Sequence, residues 1–373
     1  MMAESLLVST RKGLFTISPM GRGRNPWAIS KADFLADNVS LALFDPRDGR
    51  LYAALDHGHF GVKMHRSLPS GKWEECTAPA YPPKPEGIVD NDGWGKPIPW
   101  TTVRIWALET GGPDEPGVLW CGTIPGGLFR SADSGTSWEL VRSLWDHPKR
   151  QNWFGGGADL PGLHSICVDP RDSRTLRVGV SCGGVWLTRD GGAAWQCRAD
   201  GMRAAYMPPD RAYDPTIQDA HYLTQCAAEP DKLWVQHHNG IFLSGDGAES
   251  WQELKDVAPS SFGFAVAVHP QNGDTAWFVP GVSDERRIAP DGKLVVTRTR
   301  DGGKSFEALR SGLPQEHAYD LVLRHALAID ASGERLAFGS TTGGLWVSED
   351  QGDHWHCVSH TLPPIYAVRF AEA

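Results

Sequence analysis

Ser131-Ala-Asp-Ser-Gly-Thr-Ser-Trp138 returns four more times along the chain without gaps. The copies are Thr188-Arg-Asp-Gly-Gly-Ala-Ala-Trp195, Ser244-Gly-Asp-Gly-Ala-Glu-Ser-Trp251, Thr299-Arg-Asp-Gly-Gly-Lys-Ser-Phe306 and Ser348-Glu-Asp-Gln-Gly-Asp-His-Trp355. Each reads hydroxyl, any residue, Asp, two turn residues, two more, aromatic; the third has Ala248 where the others have Gly. The copies start 49 to 57 residues apart, a period that belongs to repeat architectures. An Asp carboxylate and a hydroxyl can both accept backbone N–H groups inside a turn. Gly supplies a positive φ there, and the aromatic opens the next strand and packs beside a neighbour. Five copies in register therefore mark five hairpin turns. A calcium reading fails, because each loop offers too few oxygen ligands of its own.

Outward from each box the pattern continues. A Gly turn and an alternating strand precede it at Gly126–Ser131, Gly183–Thr188, Asn239–Ser244 and Gly343–Ser348. Asp291–Val296 fills that place before the fourth box, and degenerate copies stand at Lys12–Ile17 and Phe60–His65, with Trp27 and Trp73 as their box aromatics. Apolar runs near Pro or Asp, such as Val39–Pro46, His164–Pro170 and Phe264–Pro270, suit innermost strands. Runs such as Leu51–Leu55, Leu176–Ser181 and Ala276–Pro280 suit second strands. Six four-strand units result. Leu6–Thr10 and Leu14–Ile17 are left over at one end and Ile365–Phe370 at the other. Joining them completes a seventh unit and removes the open edges.

The predicted fold is all-β: one seven-bladed β-propeller over 1–373, its ring closed by the C-terminal strand in the N-terminal blade. The blades are expected at 5–30 with 364–371, then 39–76, 101–141, 162–198, 220–254, 262–309 and 324–358.

Composition bounds the function. With 16 Trp and 40% hydrophobic residues the chain can bury a sizeable core. A net charge of −9 argues against a nucleic-acid partner, which needs a basic face. No apolar run approaches a membrane span, and no secretory signal is visible in Met-Met-Ala-Glu-Ser. The seven Cys are odd in number and lack a CxxC, which reads as buried free thiols in a reducing compartment. The expectation is a soluble cytoplasmic protein.

Propeller topology places the loops from outer to next inner strand on one face, called the top, together with the turns between second and third strands. These top loops are long, and long loops on a rigid scaffold usually carry function. Nine of the 14 His fall there. His57 and His59 flank one turn, His237 occupies the same place three blades on, and His164, His221 and His325 stand at inner-strand starts. Three or more of His57, His59, His164, His221 and His237 converging on the axis could hold a divalent metal, Zn²⁺, Mn²⁺ or Fe²⁺. His237 and His238 cannot both point inward if extended. Asp219, Asp284, Glu285 and Glu316 are the candidate acid/base carboxylates. Arg11, Arg287, His317, His325 and Trp153 are the candidate substrate contacts, the arginines for an anionic group and Trp153 for a ring stack. For each residue the alternative is a solvated loop charge or a sealing contact.

The boxes resemble the Asp box, S/T-x-D-x-G-x-x-W, of bacterial neuraminidase repeats. The chain resembles proteins classed on these repeats as Asp-box, sialidase-like glycosyl hydrolases. The resemblance implies a box that joins third and fourth strands and serves structure. Sialidases have six blades, an Arg-Ile-Pro motif, an arginine triad and a Tyr nucleophile. Here the nearest tripeptide is Thr123-Ile124-Pro125 and the triad does not map. The class also contains photosystem assembly factors and sortilin-type receptors, so fold alone does not assign function. Two expectations follow. One is a hydrolase or lyase acting on a small or sugar-like molecule at the top of the channel, metal-assisted through the His cluster. The other is a non-catalytic binding or assembly module.

Overall fold

The computed structural model describes residues 5–20, 26–156 and 158–372. Residues 21–25 of the expected first blade, and the first four residues scanned for a leader, lie outside the described residues. Seven antiparallel four-stranded sheets form the seven-bladed propeller. Inner strands of blades one to seven are Ile365–Ala371, Val39–Asp45, Arg104–Thr110, Gly162–Val168, Ala220–Gln225, Gly263–Val268 and Leu327–Ile329. No helix among the described residues is long and apolar enough to cross a membrane.

Closure is as the leftover strands required. Ile365–Ala371 lies antiparallel beside Ser5–Thr10, with Val8 opposite Val368. Its other side reaches blade seven, where the Val368 N–H donates to the His325 carbonyl at 2.9 Å. Ile365, Ala367, Val368 and Ala371 are all buried.

All five box turns use one hydrogen-bond set. Ser131 Oγ donates to Asp133 at 2.8 Å and accepts the Gly135 N–H at 2.9 Å. The Asp133 carboxylate accepts the Ser137 N–H at 2.8 Å. The Ser137 hydroxyl, which donates to the same carboxylate at 2.6 Å, and these bonds pull the Asp133 carboxyl down to about 2. The same three bonds recur at Thr188–Asp190, Ser244–Asp246, Thr299–Asp301 and Ser348–Asp350. The fifth box residue is left-handed throughout, and Ala248 takes a φ of 78° without the freedom of Gly. Box tryptophans tie blades together: Trp138 Nε1 donates to the Thr77 carbonyl and Trp251 Nε1 to that of Arg198. Thr188→Val keeps the shape but leaves the buried Gly192 N–H without its acceptor. It should cost about 1–3 kcal/mol in thermal or denaturant unfolding and leave ligand binding at the opposite face unchanged.

In blade six the strand expected to follow the Gly turn of Asp291–Val296 starts late: the third strand is Val296–Thr299, and Pro290–Gly292 is a 3₁₀ turn. Pro290 opens that turn and Asp291 is left-handed at φ 56°, so the ladder cannot begin there.

Six of the seven inner strands share an irregularity near their starts. The register slips by one residue at Ser40, Trp106, His164, His221 and Tyr366, and by one across Phe264–Ala265. Such bulges re-aim side chains. Four of the bulge residues, Ser40, Trp106, Phe264 and Tyr366, line one cavity at the channel mouth.

Candidate functional site

The site begins with a rigid loop. Asp214 caps the short turn Pro215–Ile217, and the buried Gln218 amide donates to the carbonyls of Ala212 and Asp214. Asp219 follows, 3% exposed. Its Oδ1 accepts Ser181 Oγ at 3.0 Å and the Cys182 N–H at 3.1 Å. Its Oδ2 faces His221 Nε2 at 3.3 Å and His238 Nδ1 at 3.5 Å. Among the described residues, Asp219, His221 and His238 are the one group of three or more His, Cys or carboxylate ligand atoms within 4.8 Å of one another.

His221 is placed by the bulge of its strand and stacks on Phe264 at 4.5 Å. Its Nδ1 lies 2.7 Å from the Gly263 carbonyl. That oxygen can only accept, so Nδ1 carries a proton and Nε2 is the nitrogen that faces Asp219. Burial lowers the His221 pKa despite the neighbouring carboxylate. Burial also works against the charge on Asp219, yet its contacts with His221 and His238 and the charge of Arg324 hold it well below the usual carboxylate range. His238 is pulled down by burial, but Asp219 outweighs this and its pKa is raised.

These groups open on a cavity of about 240 Å³, whose walls include Phe154, Cys182, Tyr206, Phe264, Asp284 and Arg287. Tyr206 is fixed by donating to the Ile217 carbonyl at 3.0 Å. Phe264 and Arg287 also line the second cavity, about 180 Å³, together with Trp106, Arg324 and His325. The two cavities therefore adjoin.

The five-histidine metal site is not assembled. His221 alone of the five joins the group, and His238 stands where His237 was expected. His237 ends its strand with its side chain against Phe242 and its Nδ1 accepting the Asn239 N–H; burial pulls its pKa down to about 3. His238 lies past the strand end in the turn to Gly240, where extended alternation no longer decides direction. His164 is 1% exposed, bonds to Ser165 Oγ at 2.7 Å and packs on Trp106. His57 sits 3.9 Å from Asp37, and His59 is exposed beside Phe60.

The other candidates divide in the same way. Asp219, Asp284 and Arg287 meet at the cavity, and Arg287 pairs with Asp284. Glu285, Glu316, His317 and Arg11 are exposed and line neither cavity. Trp153 is core rather than ligand wall: it is 1% exposed and packs on Trp186. His325 lines the second cavity, but its Nε2 donates to the His164 carbonyl at 2.8 Å. Burial takes its pKa to about 3. Sequence reasoning missed His238, Arg324, Trp106 and Phe264. An aromatic or Arg at an inner-strand start, beside the His already noted there, was the available signal.

No known family's sequence profile matches the chain. It is 22% identical over 266 residues to the oligoxyloglucan-reducing end-specific xyloglucanase of Emericella nidulans. It is 32% identical over 275 residues to a probable enzyme of the same name from Neosartorya fischeri. Each match covers 65% of this chain and 31% of the relative, so the chain spans about a third of the length of the curated relatives it matches. Among solved structures, an ancestral GH74 enzyme superposes with a TM-score of 0.56 at 15% identity, over 85% of this chain and 38% of that one. The periplasmic gluconolactonase of Pseudomonas aeruginosa superposes at 0.55 with 14% identity, over 99% of both chains. At these identities the structural likeness is one of fold.

Proposed function

We propose that the protein is a hydrolase acting on a small sugar-like molecule at the top of its channel, with a divalent metal held by Asp219, His221 and His238. One observation carries this reading. Asp219 Oδ2, His221 Nε2 and His238 Nδ1 converge within 4.8 Å of one another, and with His221 Nδ1 committed to the Gly263 carbonyl its Nε2 is left to share a cation with the carboxylate 3.3 Å away. The donor set suits Zn²⁺, Mn²⁺ or Fe²⁺. Ligand spacings of 3.3 and 3.5 Å match the edge of a tetrahedral shell, about 3.4 Å for bonds of ~2.1 Å. A backbone carbonyl fixing the far nitrogen is the usual support of a metal-binding imidazole.

The names of the curated relatives, which act on oligoxyloglucan, and of the gluconolactonase neighbour support a sugar-like substrate. A bound metal would polarise the scissile group and lower the pKa of water. The protein's own groups do the rest. Phe154 and Tyr206 give the substrate ring contacts and exclude water. Asp284, a part-exposed carboxylate on the cavity wall, takes one proton of the attacking water and returns it to the departing oxygen, while the water oxygen bonds to the substrate carbon.

The test strips the protein with a chelator and titrates it with Zn²⁺, Mn²⁺ and Fe²⁺ by calorimetry. Hydrolysis of sugar lactones and aryl glycosides is then assayed with and without each ion. One ion bound per chain and metal-dependent hydrolysis are expected. Failure of all three ions to bind would sink the proposal.

A further inference from the structure

The second cavity is walled by a cation with unmade hydrogen bonds. Among the described residues no carboxylate lines it, while Arg104, Arg287 and Arg324 do. Arg104 is already paired with Asp56 and Arg287 with Asp284. Arg324 is different. It is 6% exposed, lies 4.7 Å over the Trp106 ring and 5.3 Å over the Phe264 ring, and its Nε and Nη2 have no hydrogen-bond partner. The two aromatic faces attract the cation but leave those N–H groups unpaired. A buried cation with unmade hydrogen bonds is costly to keep, and a ligand that supplies the missing acceptors removes the cost.

We propose that Arg324 receives a carboxylate of the ligand, so that the sugar-like molecule is a sugar acid. Nε and Nη2 form the side-on edge of the guanidinium, the edge that grips a planar carboxylate through two parallel bonds. Among the guanidiniums lining this cavity it is the one fork not bonded to a carboxylate, and it is buried. Phe264 ties the fork to the metal-type group. One Arg324 contact and the His221 stack fall on that ring, and it lines both cavities. A molecule anchored on Arg324 therefore extends toward Asp219, His221 and His238. The inference rests on the reading of a sugar-like ligand at this mouth, and adds its charge.

The test compares the intact protein with Arg324→Met and Arg324→Lys. Probes are D-glucuronate, D-glucose and D-glucose 6-phosphate, followed by calorimetry and ligand-detected NMR. Glucuronate should bind and glucose should not. Met should weaken glucuronate by roughly ten- to a hundredfold, the loss of a charge-assisted pair, and Lys should recover only part of it, having the charge but not the fork. Met should also melt at the same temperature or higher without ligand, since an apolar group replaces an unsatisfied buried charge. A purely structural Arg324 would instead lower the melting temperature and leave glucuronate affinity unchanged, which would overturn the inference. Tighter binding of glucose 6-phosphate than of glucuronate would overturn the carboxylate. Mn²⁺ titration of the same samples separates the two proposals. Ion binding without Arg324-dependent glucuronate binding removes only this one, and the converse result removes only the metal.

Discussion

Asp219→Asn should lower metal affinity by at least about a hundredfold, the upper range of even supporting positions around a metal, while the protein stays folded. The two oxygens of Asp219 have separate duties. Oδ1 accepts from Ser181 and the Cys182 N–H; Oδ2 faces the two imidazoles. An amide keeps a carbonyl for the first pair and loses the negative charge the cation needs. Asp219→Ala removes both. It should lose the metal and also cost about 1–3 kcal/mol for each buried donor left unpaired. Calorimetry with Mn²⁺ and a thermal melt on both variants separate the effects. An Asp219→Asn protein that binds the ion as tightly as the parent would end the metal reading.

Removal of residues 365–373 should have the largest effect on stability: the two-state melt is lost. The strand is the inner edge of blade one and touches blade seven as well, so its loss opens the ring at two seams. It strips six paired positions from Ser5–Thr10 and exposes the Leu6 and Val8 side of the core. Val368→Asp is the milder version. At 1% exposure the carboxylate has no water and no partner, and the cost should be about 3–5 kcal/mol, that of an uncompensated buried charge. Unfolding followed by tryptophan fluorescence and by circular dichroism gives the readout. A shortened chain that melts as one sharp transition at the parent temperature would mean that the ring is not held by this strand.

The ring was legible in the sequence because five of the seven blades repeat the same local chemistry. A hydroxyl, an Asp and a Gly recur at fixed offsets, since the box turn satisfies its own backbone groups and needs no distant partner. The seventh blade was legible through its incompleteness, because two strands at one end and one at the other had to meet. The site was only partly legible. Asp219, His221, Asp284 and Arg287, expected on one face, line one cavity. His237 was preferred to His238 because strict alternation was carried past the strand end into a turn. His57, His59 and Glu316 share the face but not the cavity, because face is set by topology and convergence by loop length and side-chain direction. Arg324 carried no motif; its distinction is the lack of a partner, which only three dimensions reveal.

The ring of bulges has an evolutionary consequence. A residue that slips out of the ladder leaves the strand pairing around it intact, so its side chain can be exchanged without re-registering the blade. Ser40, Trp106, Phe264 and Tyr366, with His221 beside them, are thus sockets around the two adjoining cavities. They can be refitted, by drift or by selection in the laboratory, while the boxes on the far side keep the wheel in shape. A catalogue of such propellers sorted by the residues in these sockets would group them by what they hold, where a catalogue sorted by box would group them only by how they fold.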